Sequence, residues 1–390
     1  MRSDQHSRVD VGQSERGFTL VELLVSITIT TLILGATMAA LTDATKANDT
    51  AIQMTGLNNT LRTAMDLMVR DFMQVGQGLP AGRVVGIPNG GGAEAIQLPG
   101  PPGTDYTLDG ATFCPPDPDD PNPDYACEQI SAVIPGPGLG PQLSENGAPT
   151  DMVWVLSADS AFERVRLSRF SPTGRFIEVA AAVNITDGGA DDVHPGDLLM
   201  LTKGSASVLL QVTEVIGQQI KFANGDSMRM NQSASYNGTM HSMSDYAPPD
   251  DDANGNIYTE ATRIRMTSYY LDAATNPRRP RLVRRMNNGD PFVFDNTLGT
   301  IVAFDVENLQ ITYDIADGVT NPANVRMTEA DMNGSGACAP RACSPNQIRK
   351  VNLLLSGRSE RPARISGQFF HNTLTTQVSL RSLAFVDRYH

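Results

Sequence analysis

A run of 24 residues, Phe18 to Leu41 (FTLVELLVSITITTLILGATMAAL), holds one charged side chain, Glu22. As a helix it spans roughly 36 Å at about 1.5 Å per residue, more than the ~30 Å hydrocarbon core of a bilayer. It is longer than the apolar region of an ordinary secretory signal, and no A-x-A cleavage site follows it. A plain single-pass anchor is the simplest reading. A carboxylate inside such a segment costs about 2.5–3.5 kcal/mol by insertion scales, so Glu22 needs a reason to be there. The free N–H groups and positive dipole end of a first helical turn supply part of that reason.

The junction Arg16-Gly17-Phe18-Thr19-Leu20-Val21-Glu22-Leu23-Leu24-Val25 resembles the class III signal of type IV prepilins and pseudopilins. The resemblance implies that a membrane prepilin peptidase cuts between Gly17 and Phe18 and that Phe18 becomes the N-methylated first residue. Glu22 then stands at the fifth mature position, where the family has its glutamate. There it would meet the cleaved amine of a neighbouring subunit during filament assembly. The leader, residues 1–17, carries Arg2, Arg8 and Arg16 against Asp4, Asp10 and Glu15, so its removal leaves the net charge of −13 unchanged. Arg16 stays on the cytoplasmic side, as the positive-inside tendency expects.

No proline occurs between Phe18 and Leu79. Met54, Leu57, Leu61, Met65, Met68, Phe72 and Val75 step by three and four, which predicts one buried helical face. Asn58, Arg62, Asp66, Arg70 and Gln74 lie opposite. The expected spine therefore comprises a transmembrane segment, 18–41, and an amphipathic continuation, 42–79, ending at the Gly76-Gln77-Gly78-Leu79-Pro80 stop. Many major pilins carry a proline near mature position 22; here Ala39 stands in that place.

Residues 80–149 hold 14 of the 25 prolines and read as a Pro/Gly-rich loop region. Residues 150–390 read as a β-rich globular domain. Strands are expected at 152–157, 164–170, 176–183, 198–202, 208–216, 262–271, 281–286, 301–315, 350–356 and within 375–389. The expected fold is thus α+β and type IV pilin-like: a long N-terminal spine followed by a β-rich domain with long loops. The segments Pro280–Arg285, Val306–Tyr313, Val351–Glu360 and Thr375–Leu383 look like the PilW-type minor pilins, which are related in build to the J-type pseudopilins of type II secretion.

Four cysteines remain to be placed. Sequential pairing, Cys114 with Cys127 and Cys338 with Cys343, is favoured among three connectivities, since the expected location beyond the membrane is oxidising. Their spacing lacks the C-x₂-C of zinc sites. Asp250, Asp252, Asn254 and Asn256 resemble the start of a calcium loop, with Gly255 at its sixth position. Glu260 falls one place short of the closing carboxylate, and a solvated acidic turn is the alternative. No other cofactor is implied. Arg278, Arg279, Arg281, Arg284 and Arg285 form a basic cluster that protects a sheet edge, docks a partner pilin or contacts DNA. The acidic balance argues against a nucleic-acid partner. No H-E-x-x-H, G-x-S-x-G or P-loop occurs, so no enzymatic activity and no catalytic residue is expected.

Together these features point to a minor pilin that primes or joins a type IV pilus and supports filament assembly, with motility, adhesion or DNA uptake as downstream roles. Its expected partners are other pilins, prepilin peptidase and the inner-membrane assembly platform. Its expected location is the inner membrane with the body in the periplasm, then the pilus and cell surface. A pseudopilin of a type II secretion system and a pilus-tip adhesin or calcium-dependent binding module are the alternatives.

Overall fold

The computed structural model describes residues 17–79, 84–87, 96–101, 106–108, 129–143, 147–160, 162, 165–171, 175–179, 185, 192–203, 206–231, 259–287, 299–364 and 367–383. The leader up to Arg16, Cys114 and Cys127, the four residues of the calcium-like loop from Asp250 to Asn256, and the tail after Leu383 lie outside them.

Helix α1 runs Leu20–Gln74, 55 residues, or roughly 82 Å. Thr19 is its N-cap. Its last turn gives way to turns in which Gly76 and Gly78 adopt φ of +75°. Glycine suits position 76 because a φ of +75° strains residues with a Cβ. The Gly76 N–H donates 2.9 Å to the Leu156 carbonyl, tying the helix end to the body. The buried face comprises Leu57, Leu61, Ala64, Met65, Met68 and Phe72. Met54, expected as its first member, is 43% exposed. Apolar packing begins one turn later, at Leu57, while nearer the membrane the body meets the helix on its Asp49 side, where Arg364 lies 3.2 Å from the carboxylate.

Five short strands fall within 80–149: β1 Val84–Gly86, β2 Ile96–Leu98, β3 Tyr106–Leu108, β4 Gln129–Ser131 and β5 Val133–Gly136. Runs of three or four residues set in a Gly/Pro-rich sequence give no readable alternation, which is why this stretch reads as loop in the sequence. Then follow β6 Met152–Ala158, β7 Val165–Phe170, β8 Phe176–Val179, β9 Leu198–Lys203, β10 Ala206–Gln211, β11 Glu214–Ile216 and β12 Gln219–Lys221. The chain continues with β13 Thr259–Asp272, β14 Arg281–Met286, β15 Thr300–Phe304, β16 Val306–Ile315, a one-turn helix α2 Glu329–Met332, β17 Ile348–Arg358 and β18 His371–Ser379.

Two expected strands are broken. The 301–315 run divides at Asp305, whose φ is +59°, into β15 and β16, which join different sheets. The 208–216 run divides at Val212 and Thr213 into β10 and β11.

Strand β13 organises the larger sheet. Its first half lies between β7 and β9, with Glu260 opposite both Arg166 and Thr202. Its second half lies between β6 and β14. One core surrounds Trp154, whose Nε1 donates 2.6 Å to the Pro99 carbonyl. Another lies between β7–β10 and β12.

The smaller sheet, β16-β17-β18, is antiparallel throughout. Strict alternation on β17 sends Val351, Leu353, Leu355 and Gly357 to one face, where they share a core with Leu57, Leu61 and Met65 of α1. Gly357 permits the closest approach. A Cβ there would stand 2.9 Å from the Asp305 carbonyl and 3.1 Å from Cδ2 of Leu61.

Candidate assembly interface

The helix start is built by a capping box. Thr19 Oγ1 accepts from the Glu22 N–H at 3.3 Å, and Glu22 Oε2 accepts from the Thr19 N–H at 3.0 Å and its hydroxyl at 2.9 Å. This reciprocal pattern satisfies two of the donors that every helix N-terminus leaves open. Both contacts fall on Oε2; among the described residues Oε1 takes none. Gly17 and Phe18 precede the cap outside the helix, and Phe18 is 83% exposed.

From Leu20 to Leu41 the apolar side chains of α1 face solvent, including Leu24, Ile27, Leu32, Ile33 and Leu34. Among the described residues this is the one helix long and apolar enough to cross a membrane. Its hydroxyls close on the helix itself. Ser26 donates to the Leu23 carbonyl at 2.9 Å, Thr30 to Ser26 at 2.7 Å, Thr31 to Ile27 at 2.7 Å and Thr37 to Leu34 at 2.9 Å. Side chains that bond three or four residues back leave no unpaired donor for hydrocarbon to reject.

The body grips the other end of the helix through half-buried charge. Asp71 Oδ2 accepts from Arg284 Nε and from the Tyr269 hydroxyl, each at 2.6 Å. Burial, then the Asp71 carboxylate, pushes the Tyr269 phenol well above its usual range. Burial presses the Arg284 guanidinium down, but Asp71 outweighs it and holds Arg284 above its ordinary value. This junction escapes the sequence reading, because Asp71 lies 213 residues from Arg284. The only signal is a carboxylate beside Phe72 on the flank of an apolar stripe.

The basic cluster is correspondingly not an edge guard, nor one binding patch. Strand β14 is an interior strand between β13 and β15, and most of its arginines hold internal partners. Arg279 forks onto Asp305 at 3.1 and 2.7 Å. Arg281 holds Asp272 at 2.9 and 2.7 Å, and Arg285 donates 2.7 Å to the Gly100 carbonyl. Carboxylates far apart in sequence decide this.

Cys338 and Cys343 form a disulfide, both side chains buried, with Ala339 to Ala342 exposed between them. Asp331 of α2 steadies this loop by accepting from the Ala337 N–H at 2.7 Å. Glu260, half-buried on β13, is the one residue of the calcium-like set within the described residues. Among those residues no group of three or more His, Cys, Asp or Glu side chains is arranged to hold a metal ion.

Comparison with known families finds that residues 12–38 match the prokaryotic N-terminal methylation motif. Comparisons with curated proteins and with solved structures return no match. The motif covers the capping box and most of the exposed apolar run. It implies processing by prepilin peptidase and assembly with other pilins. With the long helix and strand-rich body, it supports a type IV pilin-like or pseudopilin-like structural protein, anchored in the membrane by a single N-terminal span.

Proposed function

We propose that this chain is a PilW-type minor pilin that joins or primes a type IV pilus. The observation that carries the reading is a methylation motif running without a break into an apolar helix, which the chain's own body leaves bare. Cleavage between Gly17 and Phe18 would free the Phe18 amine one residue ahead of the cap. Glu22 Oε2 already satisfies its own helix, and Oε1 is free to accept the amine of an adjacent subunit. An isolated bilayer accommodates such a helix; a filament core accommodates it equally, with neighbouring spines in place of lipid. Before assembly the body stands in the periplasm, and the Cys338–Cys343 bridge fits that oxidising space.

The test has two stages. Co-expression with prepilin peptidase, followed by mass spectrometry of the N-terminus, is expected to give N-methylated Phe18. Deletion of the gene, followed by filament counting, is expected to reduce pili. An intact leader in the presence of active peptidase would overturn the reading. Normal pili with defective protein secretion would assign the chain to a secretion pseudopilus.

A further inference from the structure

At the end of the body nearest the apolar helix, two turns come together. One joins β17 to β18 (residues 359–370), and the other joins β13 to β14 (273–280). Arg364 Nε of the first lies 3.2 Å from Asp49 Oδ2 on α1. Arg358 donates to the Arg278 carbonyl, and Arg279 reaches Glu360 at 3.6 Å, so the turns adjoin. Asp49 is eight residues beyond Leu41, roughly 12 Å along the helix axis. The headgroup layer fills about 5–8 Å of that distance. These turns therefore stand within about one Debye length, roughly 8–10 Å, of the headgroups.

The charge here departs from the rest of the chain, which carries −13 overall. Among the described residues, the carboxylates near these turns are held by cations: Asp43 by Lys46, Asp49 by Arg364, Asp305 and Glu360 by Arg279, Glu307 by Arg358, and Asp272 by Arg281. Arg278 and Arg361 are exposed and have no carboxylate partner among the described residues. Phe304, 48% exposed, lies beneath the Arg279 guanidinium at 5.4 Å. Two exposed arginines left over from these pairs, with an exposed aromatic ring and set beside a membrane-spanning helix, match the chemistry of a phospholipid interface.

We propose that this end of the body docks on anionic phospholipid headgroups, with Arg278 and Arg361 as the principal contacts and Arg364 beside them. The proposal rests on the reading of α1 as a membrane span. Docking fixes the tilt and rotation of helix and body together against the bilayer before assembly, and leaving the membrane requires breaking these contacts.

The experiment uses the full chain in nanodiscs, either zwitterionic or containing phosphatidylglycerol, with hydrogen exchange followed in the two turns. Expected is slower exchange in the anionic discs alone, by about fivefold per arginine engaged. The effect should vanish at high salt and in the double variant Arg278→Glu/Arg361→Glu. The neutral pair Arg278→Gln/Arg361→Gln should lose it too, with the body's other amides unchanged. Equal exchange in both discs, with the chain embedded, overturns the proposal and leaves these arginines to an acidic protein partner. A chain that stays in neither disc refutes the span itself, a separate outcome.

Discussion

Replacing Asp71 with alanine strips the acceptor from two donors at once, one half-buried and one buried. Arg284 loses the carboxylate 2.6 Å from its Nε, and the Tyr269 hydroxyl loses its 2.6 Å bond. Removing one partner of a buried ion pair costs about 3–5 kcal/mol, because the remaining charge stays desolvated. Here the side chains of Arg284 and Asp71 keep 20% and 12% exposure, so the lower end, about 3 kcal/mol, applies to the pair. The orphaned phenol adds about 1–2 kcal/mol. For a body of this size, 1 kcal/mol lowers the melting temperature by about 2 °C, so Asp71→Ala should lose roughly 8 °C. Near-UV circular dichroism of the full chain in detergent follows this unfolding. The double variant Asp71→Leu/Arg284→Met, which removes both charges, should recover most of the loss, since an apolar pair of similar volume fits where a lone charge does not. A single variant that shifts melting by less than about 2 °C, or a double variant no better than the single, would show that the helix is not held to the body by this charge pair.

Glu22→Ala should still be cleaved by prepilin peptidase but enter filaments poorly; unchanged incorporation in pulled-down pili would refute the role given to its carboxylate. Gly357→Val should destabilise the body by about 1–3 kcal/mol through overpacking, and chemical denaturation measures this. Asp272 gives a pH dependence. Burial raises its pKa, but Arg281 and Thr275 outweigh burial and hold it below the ordinary value. Its stabilisation is therefore present above the unfolded carboxylate pKa of ~4 and is lost as pH falls through the lowered folded value. Asp272→Asn should flatten the acid limb of a melting-temperature profile below about pH 4, and an unchanged slope would count against the Arg281 pair.

The helix was legible because its signals are local: an apolar run, a three-and-four stripe and a Gly/Pro stop all lie within a few turns. The larger strands were legible for the same reason, as in Val351, Leu353 and Leu355 alternating on β17. What stayed hidden depends on distance. The division of 301–315 turns on Asp305, whose left-handed backbone is held by a carboxylate bonded to Arg279 from another turn. The arginine cluster read as one feature along the chain, yet it disperses onto Asp71, Asp272, Asp305 and Gly100, which no local pattern connects. At the candidate interface the sequence singled out Glu22 and the junction before it. The second partner of that carboxylate, its own Thr19, is a capping detail visible in the T-x-x-E spacing.

The inward-closing hydroxyls of the apolar helix have a consequence for movement. A helix whose polar groups have already found partners within itself presents the same chemistry at every depth. Nothing between Leu23 and Leu41 distinguishes one axial offset from the next by a bond made or broken, so the helix can slide past lipid or past its neighbours without shedding polar contacts. Within the span itself, resistance to extraction then comes from lost apolar contact and rises smoothly rather than in steps. In the proposed filament, position along the axis would then be read at the ends, by the Glu22 carboxylate at one and by the seat of the body at the other.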